Sequence, residues 1–276
     1  MDIRTIYLVA NPRKEGAVRA LAVVKAWCQT REIAVVQIEG PPRPPREKEN
    51  ALVVALGGDG TVLRAASLFA GTGIPILGAN LGSLGFLTQV RASSLTQALE
   101  RVLRDGYTVE NRMRLGYVAG SSGGTVLNDL VIAGPADVRF CELELLWSEG
   151  EIATFPGDGL IIATATGSTA YSLSAGGPVI VPPAACVLAS PLAAHKLGLR
   201  PIVFPAEEVL RVRVHSPVTL FGDGDFLVDL PAEAEVTVER SVHPTPLVRM
   251  ADAPSFFRLL DQKLNWSDTQ RRTGRA

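Results

Sequence analysis

Ala51-Leu52-Val53-Val54-Ala55 is an unbroken apolar run that ends in Leu56-Gly57-Gly58-Asp59-Gly60-Thr61, and a helix-like stretch from Val62 to Phe69 follows at once. A short apolar run bounded by glycine reads as a buried strand. The chain therefore passes from a buried strand through a glycine-rich turn into a helix N-terminus, a place where backbone N–H groups hold phosphate. Glycine permits positive φ and close approach of backbone to a ligand. The single carboxylate in the turn, Asp59, can accept a proton or hold a metal; capping the next helix is the plainer alternative. Thr61 is placed as the N-cap or first residue of that helix. The turn is not a Walker A loop, because the GxxxxGK[ST] lysine is missing, and it is not a GxGxxG fingerprint.

The surroundings of the turn repeat its pattern. Strands are expected at 6–10, 33–38, 51–56 and 74–78, with helices at 16–30, 61–69 and 93–105, the last capped by Ser93 or Ser94. Pro41-Pro42-Arg43-Pro44-Pro45 can be neither helix nor central strand. Strands alternating with helices imply βαβ units and a mostly parallel sheet, with ligands outside the carboxyl ends of its strands. Gly57 to Thr61 and Gly78 to Gly85 both fall at that edge. From Tyr107 the texture changes to short strand-like runs at 115–119, 126–133, 142–147, 159–164, 209–214 and 235–239. These predict a mostly antiparallel, sandwich-like all-β domain. Ser255 to Leu264 reads as a helix again, returning to cover the α/β domain. The expected organisation is an α/β domain at 1–106, a β-rich domain at 107–250, and a C-terminal helix and tail at 251–276.

At 276 residues, 47% hydrophobic and 20% charged, the chain can bury a real core. A formal charge of −1 argues against a nucleic-acid partner, and the basic tail Arg271-Arg272-Thr273-Gly274-Arg275 reads as a frayed terminus. The Ile6–Ala10 run is too short for a signal sequence, and Val179 to Ala194 is too short and proline-broken for a membrane span. A cytoplasmic location without membrane partners is expected. Cys28, Cys141 and Cys186 are too scattered for a disulfide framework or zinc site and read as core cysteines. His195, His215 and His243 lack metal-site spacing, and His215, on an alternating strand, reads as a surface residue.

Three further segments carry chemistry. Asn80-Leu81-Gly82-Ser83-Leu84-Gly85-Phe86-Leu87 is a second glycine-bearing loop after a strand, weak on its own. Leu127-Asn128-Asp129 lies in an apolar strand pattern, where adjacent polar side chains face opposite ways and an inward one needs a partner. Gly157 to Pro178 (GDGLIIATATGSTAYSLSAGGP) takes a strand into a long run of small hydroxyl and glycine residues, rich in donors and poor in bulk, which suits a sugar, a phosphate or an amide.

With GGDGT, Asn128-Asp129 and GDGLIIATATGSTAYSLSAGGP in this order, the chain resembles the NAD kinase family from Asn11 to Trp266. GGDGT alone is shared with lipid kinases; GSTAYSLSAGGP is the specific part. The resemblance implies phosphoryl transfer to the 2′-hydroxyl of the adenosine ribose of NAD, giving NADP. The donor would be ATP or inorganic polyphosphate with a divalent metal, Mg²⁺ by preference, in a homodimer or homotetramer. It implies Asp59 as catalytic base, with Gly57, Gly58, Gly60 and Thr61 around the phosphates. For NAD it implies Asp59, Gly60, Arg64, Asn128, Asp129, Asp158, Thr169, Ala170, Tyr171, Ser172, Leu173 and Ser174, with Arg139 and Ala193 by position only. No metal ligand is assigned. The chain departs from the family at Asp129, where glutamate is usual, within Ala194-His195-Lys196-Leu197-Gly198-Leu199-Arg200-Pro201, where Pro-His-Thr-Leu-Ser-x-Arg-Pro is usual and His195, Arg200 and Pro201 are kept, and at Asp223-Gly224-Asp225, where an Asp-Gly-Gln turn is usual. The alternatives are a lipid kinase sharing the turn and a nucleotide-binding regulatory module without catalysis.

Overall fold

The computed structural model describes residues 2–38, 48–138 and 140–265. The proline-rich loop at 41–45, Arg139 and the basic tail at 271–275 lie outside the described residues. The chain forms two compact units, residues 1–110 with 246–276, and residues 111–245.

In the first unit, β1 (Thr5–Ala10), α1 (Ala17–Gln29), β2 (Ala34–Ile38), β3 (Ala51–Gly57), α2 (Asp59–Leu68), β4 (Ile76–Asn80), β5 (Val90–Arg91), α3 (Leu95–Asp105) and β6 (Thr108–Arg112) follow in order. Strands β2, β1, β3 and β4 lie side by side and parallel, and β5 pairs with β4. Ile6, Leu8, Leu52, Val54 and Leu56 share one core with Val24 and Trp27 of α1 and Leu95, Leu99 and Val102 of α3. Tyr7 alternates to the other face, where its ring meets Phe69 at the end of α2 at 5.2 Å. Helices on both faces explain why β1 and β3 are apolar throughout.

The second unit holds β7 (Leu115–Ala119), β8 (Ser122–Val126), β9 (Asp129–Ala133), β10 (Cys141–Trp147), β11 (Gly150–Gly157), β12 (Gly159–Thr164), α4 (Tyr171–Ser174), β13 (Cys186–Leu192), β14 (Ile202–Pro205), β15 (Leu210–Val214), β16 (Val218–Gly222), β17 (Asp225–Leu230) and β18 (Glu235–Arg240). They make two six-stranded sheets, ordered β11-β10-β15-β18-β7-β8 and β14-β13-β12-β9-β16-β17. The neighbours are antiparallel, as in β10 with β15 and β12 with β9. Leu115, Leu143, Leu145, Val212 and Val236 of the first sheet share a core with Leu130, Ile132, Leu160, Ile162 and Leu220 of the second. The second sheet also buries Val131, Ile161, Ala163 and Leu188 on its other face, against Ala175 and Ile180. That double burial makes β12 apolar throughout, whereas β15 alternates.

The last elements are β19 (Thr245–Arg249), parallel to β4 and between it and β6, and α5 (Phe256–Leu264). Ser255 caps α5 by accepting from the Arg258 N–H. Residues Thr245–Arg249, within the stretch read from texture as β-rich, thus join the sheet of the first unit.

Three local expectations are corrected. The strand expected over 126–133 is broken at Leu127 and Asn128, whose N–H groups leave the ladder to donate to the Asp223 carboxylate. Ser94 precedes α3 but does not cap it with its side chain, and donates to the Arg91 carbonyl instead. His215 is half-buried, 3.4 Å from Glu144 Oε2 and 3.5 Å from Glu233 Oε1, where a surface position was expected. The three cysteines are free and buried. Among the described residues, no helix is long and apolar enough to cross a membrane.

Candidate active site

Parallel pairing places Gly57 beside Asn80, so the two glycine-bearing loops leave the same edge of the sheet together. Helix α2 starts at Asp59, two residues earlier than expected, with extended Gly58 as its N-cap. The Asp59 carboxylate is bonded outside the helix it begins. It accepts from the Phe86 N–H at 2.8 Å on Oδ2 and from the Leu87 N–H at 3.0 Å on Oδ1. Two donors, one per oxygen, fix the plane of the carboxylate and leave each oxygen further acceptor capacity. The glycines of the turn do not use left-handed backbone, since none of Gly57, Gly58 and Gly60 has positive φ. Gly57 serves close approach instead, for a Cβ there would meet Thr61 Oγ1 at 2.0 Å. The Thr61 N–H donates to the Gly58 carbonyl at 2.9 Å. Gly60 faces open space and Arg64 is exposed on α2.

A lysine reaches this turn after all. Lys14, in the loop after β1, donates from Nζ to the Gly57 carbonyl at 3.2 Å. It comes from a different part of the chain than a P-loop lysine would, which is why no local motif announces it.

In the second unit, Asp223 organises Asn128 and Asp129. Its carboxylate accepts from the N–H groups of Leu127 at 2.8 Å, Asn128 at 2.7 Å and Asp129 at 3.4 Å. Asn128 Oδ1 is buried without a partner. Asp129 is buried, and no hydrogen bond is among the causes that shift its carboxyl. Burial first, and then the charge of Asp223, push the Asp129 carboxyl up to about 7. Asp223 is itself raised by burial, against the pull of its N–H donors and of fully buried Arg114.

The hydroxyl-rich run packs against this pair. The Thr164 N–H donates to the Asn128 carbonyl at 2.8 Å, and Thr164 Oγ1 to the Leu127 carbonyl at 2.7 Å. Some of its hydroxyls are internal fasteners. Ser172 Oγ pairs with Ser190 Oγ at 2.9 Å, and Ser168 Oγ accepts from the Ile180 N–H at 3.0 Å. Thr169, Ala170 and Leu173 are half-buried, while Tyr171 and Ser174 are exposed. Asp158 and Tyr171 line a cavity of about 320 Å³ with Val131, Leu192 and Phe221. Ala193, in left-handed backbone at φ 43°, follows Leu192, whose carbonyl accepts from the Asp158 N–H.

Each unit thus gathers its share of the expected residues. Gly57 to Arg64 sit together in the first, and Asn128, Asp129, Asp158, the 169–174 run and Ala193 in the second. Sequence reading missed Lys14, the amides of Phe86 and Leu87, and the organising role of Asp223. No group of three or more His, Cys, Asp or Glu among the described residues is arranged to hold a metal. The donor set does not fit a resident ion; Mg²⁺ in such reactions is commonly carried by substrate phosphates.

A glycine turn with one oriented carboxylate and a lysine beside it is the equipment of phosphoryl transfer. Residues 43–107 match the family model for the ATP-NAD kinase N-terminal domain, and residues 127–250 that for the ATP-NAD kinase C-terminal domain. The chain is 43% identical over 219 residues to an NAD kinase of Moorella thermoacetica, covering 77% of this chain and 70% of that one. It is 35% identical over 278 residues to an NAD kinase of Heliobacterium modesticaldum, covering 94% and 98%. The crystal structure of an NAD kinase from Archaeoglobus fulgidus in complex with ATP superposes with a TM-score of 0.78 at 25% identity, covering 95% of this chain and 98% of that one. The chain belongs to the NAD kinase family.

Proposed function

We propose that the protein transfers the γ-phosphoryl group of ATP to the 2′-hydroxyl of the adenosine ribose of NAD, with Asp59 as general base. The observation that carries this reading is the Asp59 carboxylate, oriented by the Phe86 and Leu87 amides at a glycine-rich turn. A ribose hydroxyl is a poor nucleophile until its proton leaves, and a carboxylate within hydrogen-bond reach accepts that proton. The 2′-oxygen bonds to the γ-phosphorus, the bond from that phosphorus to the β–γ bridging oxygen breaks, and ADP departs. Lys14 and the backbone at Gly58 and Gly60 offset phosphate charge, the main task a protein has in this chemistry.

Asn128 and Asp129 take the adenosine end of NAD. The buried Asn128 Oδ1 has no partner and so lacks a donor of the kind that a nucleoside supplies, and the buried Asp129 carboxyl stands beside it in sequence. Asp158 and Tyr171, which line the cavity of the second unit, take the nicotinamide end, and the family resemblance adds Thr169, Ala170, Leu173, Ser174 and Ala193 to the NAD-binding set. Ser172 contributes shape, its hydroxyl being paired with Ser190. The ATP complex of the Archaeoglobus fulgidus relative supports ATP as donor. Incubation of the purified protein with ATP, Mg²⁺ and NAD should yield NADP. Absence of NADP beside phosphorylation of a lipid alcohol would contradict the reading.

A further inference from the structure

The carboxylate that this reaction needs is aimed by a loop other than the one that carries it. Asp59 opens α2, but the amides that hold its two oxygens belong to Phe86 and Leu87, in the loop between β4 and β5. That loop is closed from inside by side chains. Thr88 is fully buried, and its Oγ1 accepts from the Gly85 N–H at 2.7 Å. Asn80 Nδ2 donates to the same oxygen at 3.4 Å, while Asn80 Oδ1 accepts from the Gly82 N–H at 2.7 Å. The Gln89 N–H, bonded to the Gly78 carbonyl at 2.9 Å, anchors the far end. The fit around Asp59 is close enough that a Cβ on Gly85 would lie 2.0 Å from Asp59 Oδ1 and 2.5 Å from Oδ2. From outside, α5 rests on the same loop, with the Phe256 ring 5.9 Å from that of Phe86 and Lys263 Nζ 3.4 Å from Ser83 Oγ.

We propose that Thr88 is a positioning residue of the reaction: by holding the Gly85 N–H it sets the Phe86 and Leu87 amides that orient both oxygens of Asp59. The inference rests on Asp59 being the general base. Attached only to its helix, an aspartate side chain turns about two bonds; one amide on each oxygen removes that freedom. Orientation matters because a misplacement of about 1 Å can cost about a hundredfold in rate. The contribution is therefore to turnover, with substrate affinity left to the groups that touch substrate.

The experiment is a steady-state series on the full-length protein, with melting curves for every variant. Thr88→Val keeps the shape and removes the hydroxyl; kcat should fall about tenfold or more, with KM for NAD and for ATP within about twofold. Thr88→Ser keeps the hydroxyl and should stay within about twofold of the wild type in kcat. Gly85→Ala should show the same kcat loss by displacing the carboxylate, and it answers the question if Thr88→Val does not fold. A folded Thr88→Val or Gly85→Ala with wild-type kcat would overturn the proposal, as would a Thr88→Ser as impaired as Thr88→Val. Asp59→Asn separates the two claims. Full activity there removes the base reading and the positioning role with it. An inactive Asp59→Asn beside fully active Thr88 and Gly85 variants removes only the positioning role.

Discussion

Asp59 and Asp129 bring the same side chain into opposite surroundings. Asp59 sits at the first turn of a helix with a backbone donor on each oxygen. Asp129 is buried near a second carboxylate, Asp223, which takes the local N–H donors for itself. The first arrangement gives a carboxylate of fixed direction. The second gives one whose charge is poorly compensated, and whose carboxyl stands at about 7 for that reason. Groups that do chemistry profit from being oriented in advance, and groups that bind profit from lacking a partner until the ligand brings one. The shorter side chain at position 129 fits the second role, because Asp223 fixes the backbone that carries it.

The contrast makes separable predictions. Replacing Asp59 by alanine should lower turnover by roughly a hundredfold or more, the range for losing a general base; steady-state kinetics with NAD checks it, and unchanged turnover would end the assignment. Asp129→Asn should weaken NAD binding at pH 8 by about tenfold, the scale of one charge-assisted hydrogen bond. The same change should stabilise the ligand-free protein. An unfolded aspartate titrates near about 3.9, so between that pH and about 7 the folded protein holds a proton that the unfolded chain has lost. Stability tied to this group is complete at low pH and is lost as pH rises through about 7. Asp129→Asn should therefore raise the melting temperature more at pH 8 than at pH 5; an equal gain at both would remove the burial argument. Lys14→Ala should have the smallest effect, raising KM for ATP about threefold to tenfold with KM for NAD unchanged, because its ammonium is exposed and partly screened.

Much of the first unit was legible in the sequence, because the causes are local. A strand covered on both faces is written as continuous apolar residues, and glycine marks where it must end. The start of α2 was missed by two residues because Asp59 looked like part of the turn, when its carboxylate is held from the neighbouring loop. The break at Leu127 and Asn128 could not be read, since the acceptor that pulls their amides from the ladder lies 96 and 95 positions away. Lys14 was invisible for the same reason, its carbonyl partner being 43 positions along the chain. Strand β19 was not singled out at all, because a short run such as Thr245–Arg249 carries no mark of the parallel sheet it enters. The serines of the 167–178 run were legible as a cluster, but their sequence does not distinguish the buried pair Ser172–Ser190 from the exposed Ser174.

Calorimetric titration of NAD into the Asp59→Ala and Asp129→Asn proteins at pH 8, beside their turnover, places the two carboxylates in one experiment. The expected result is NAD affinity within a few-fold of the wild type for Asp59→Ala despite its lost turnover, and affinity weakened about tenfold for Asp129→Asn. The opposite pattern, with Asp59→Ala unable to bind NAD and Asp129→Asn binding normally, would contradict the division of labour between the oriented and the uncompensated aspartate.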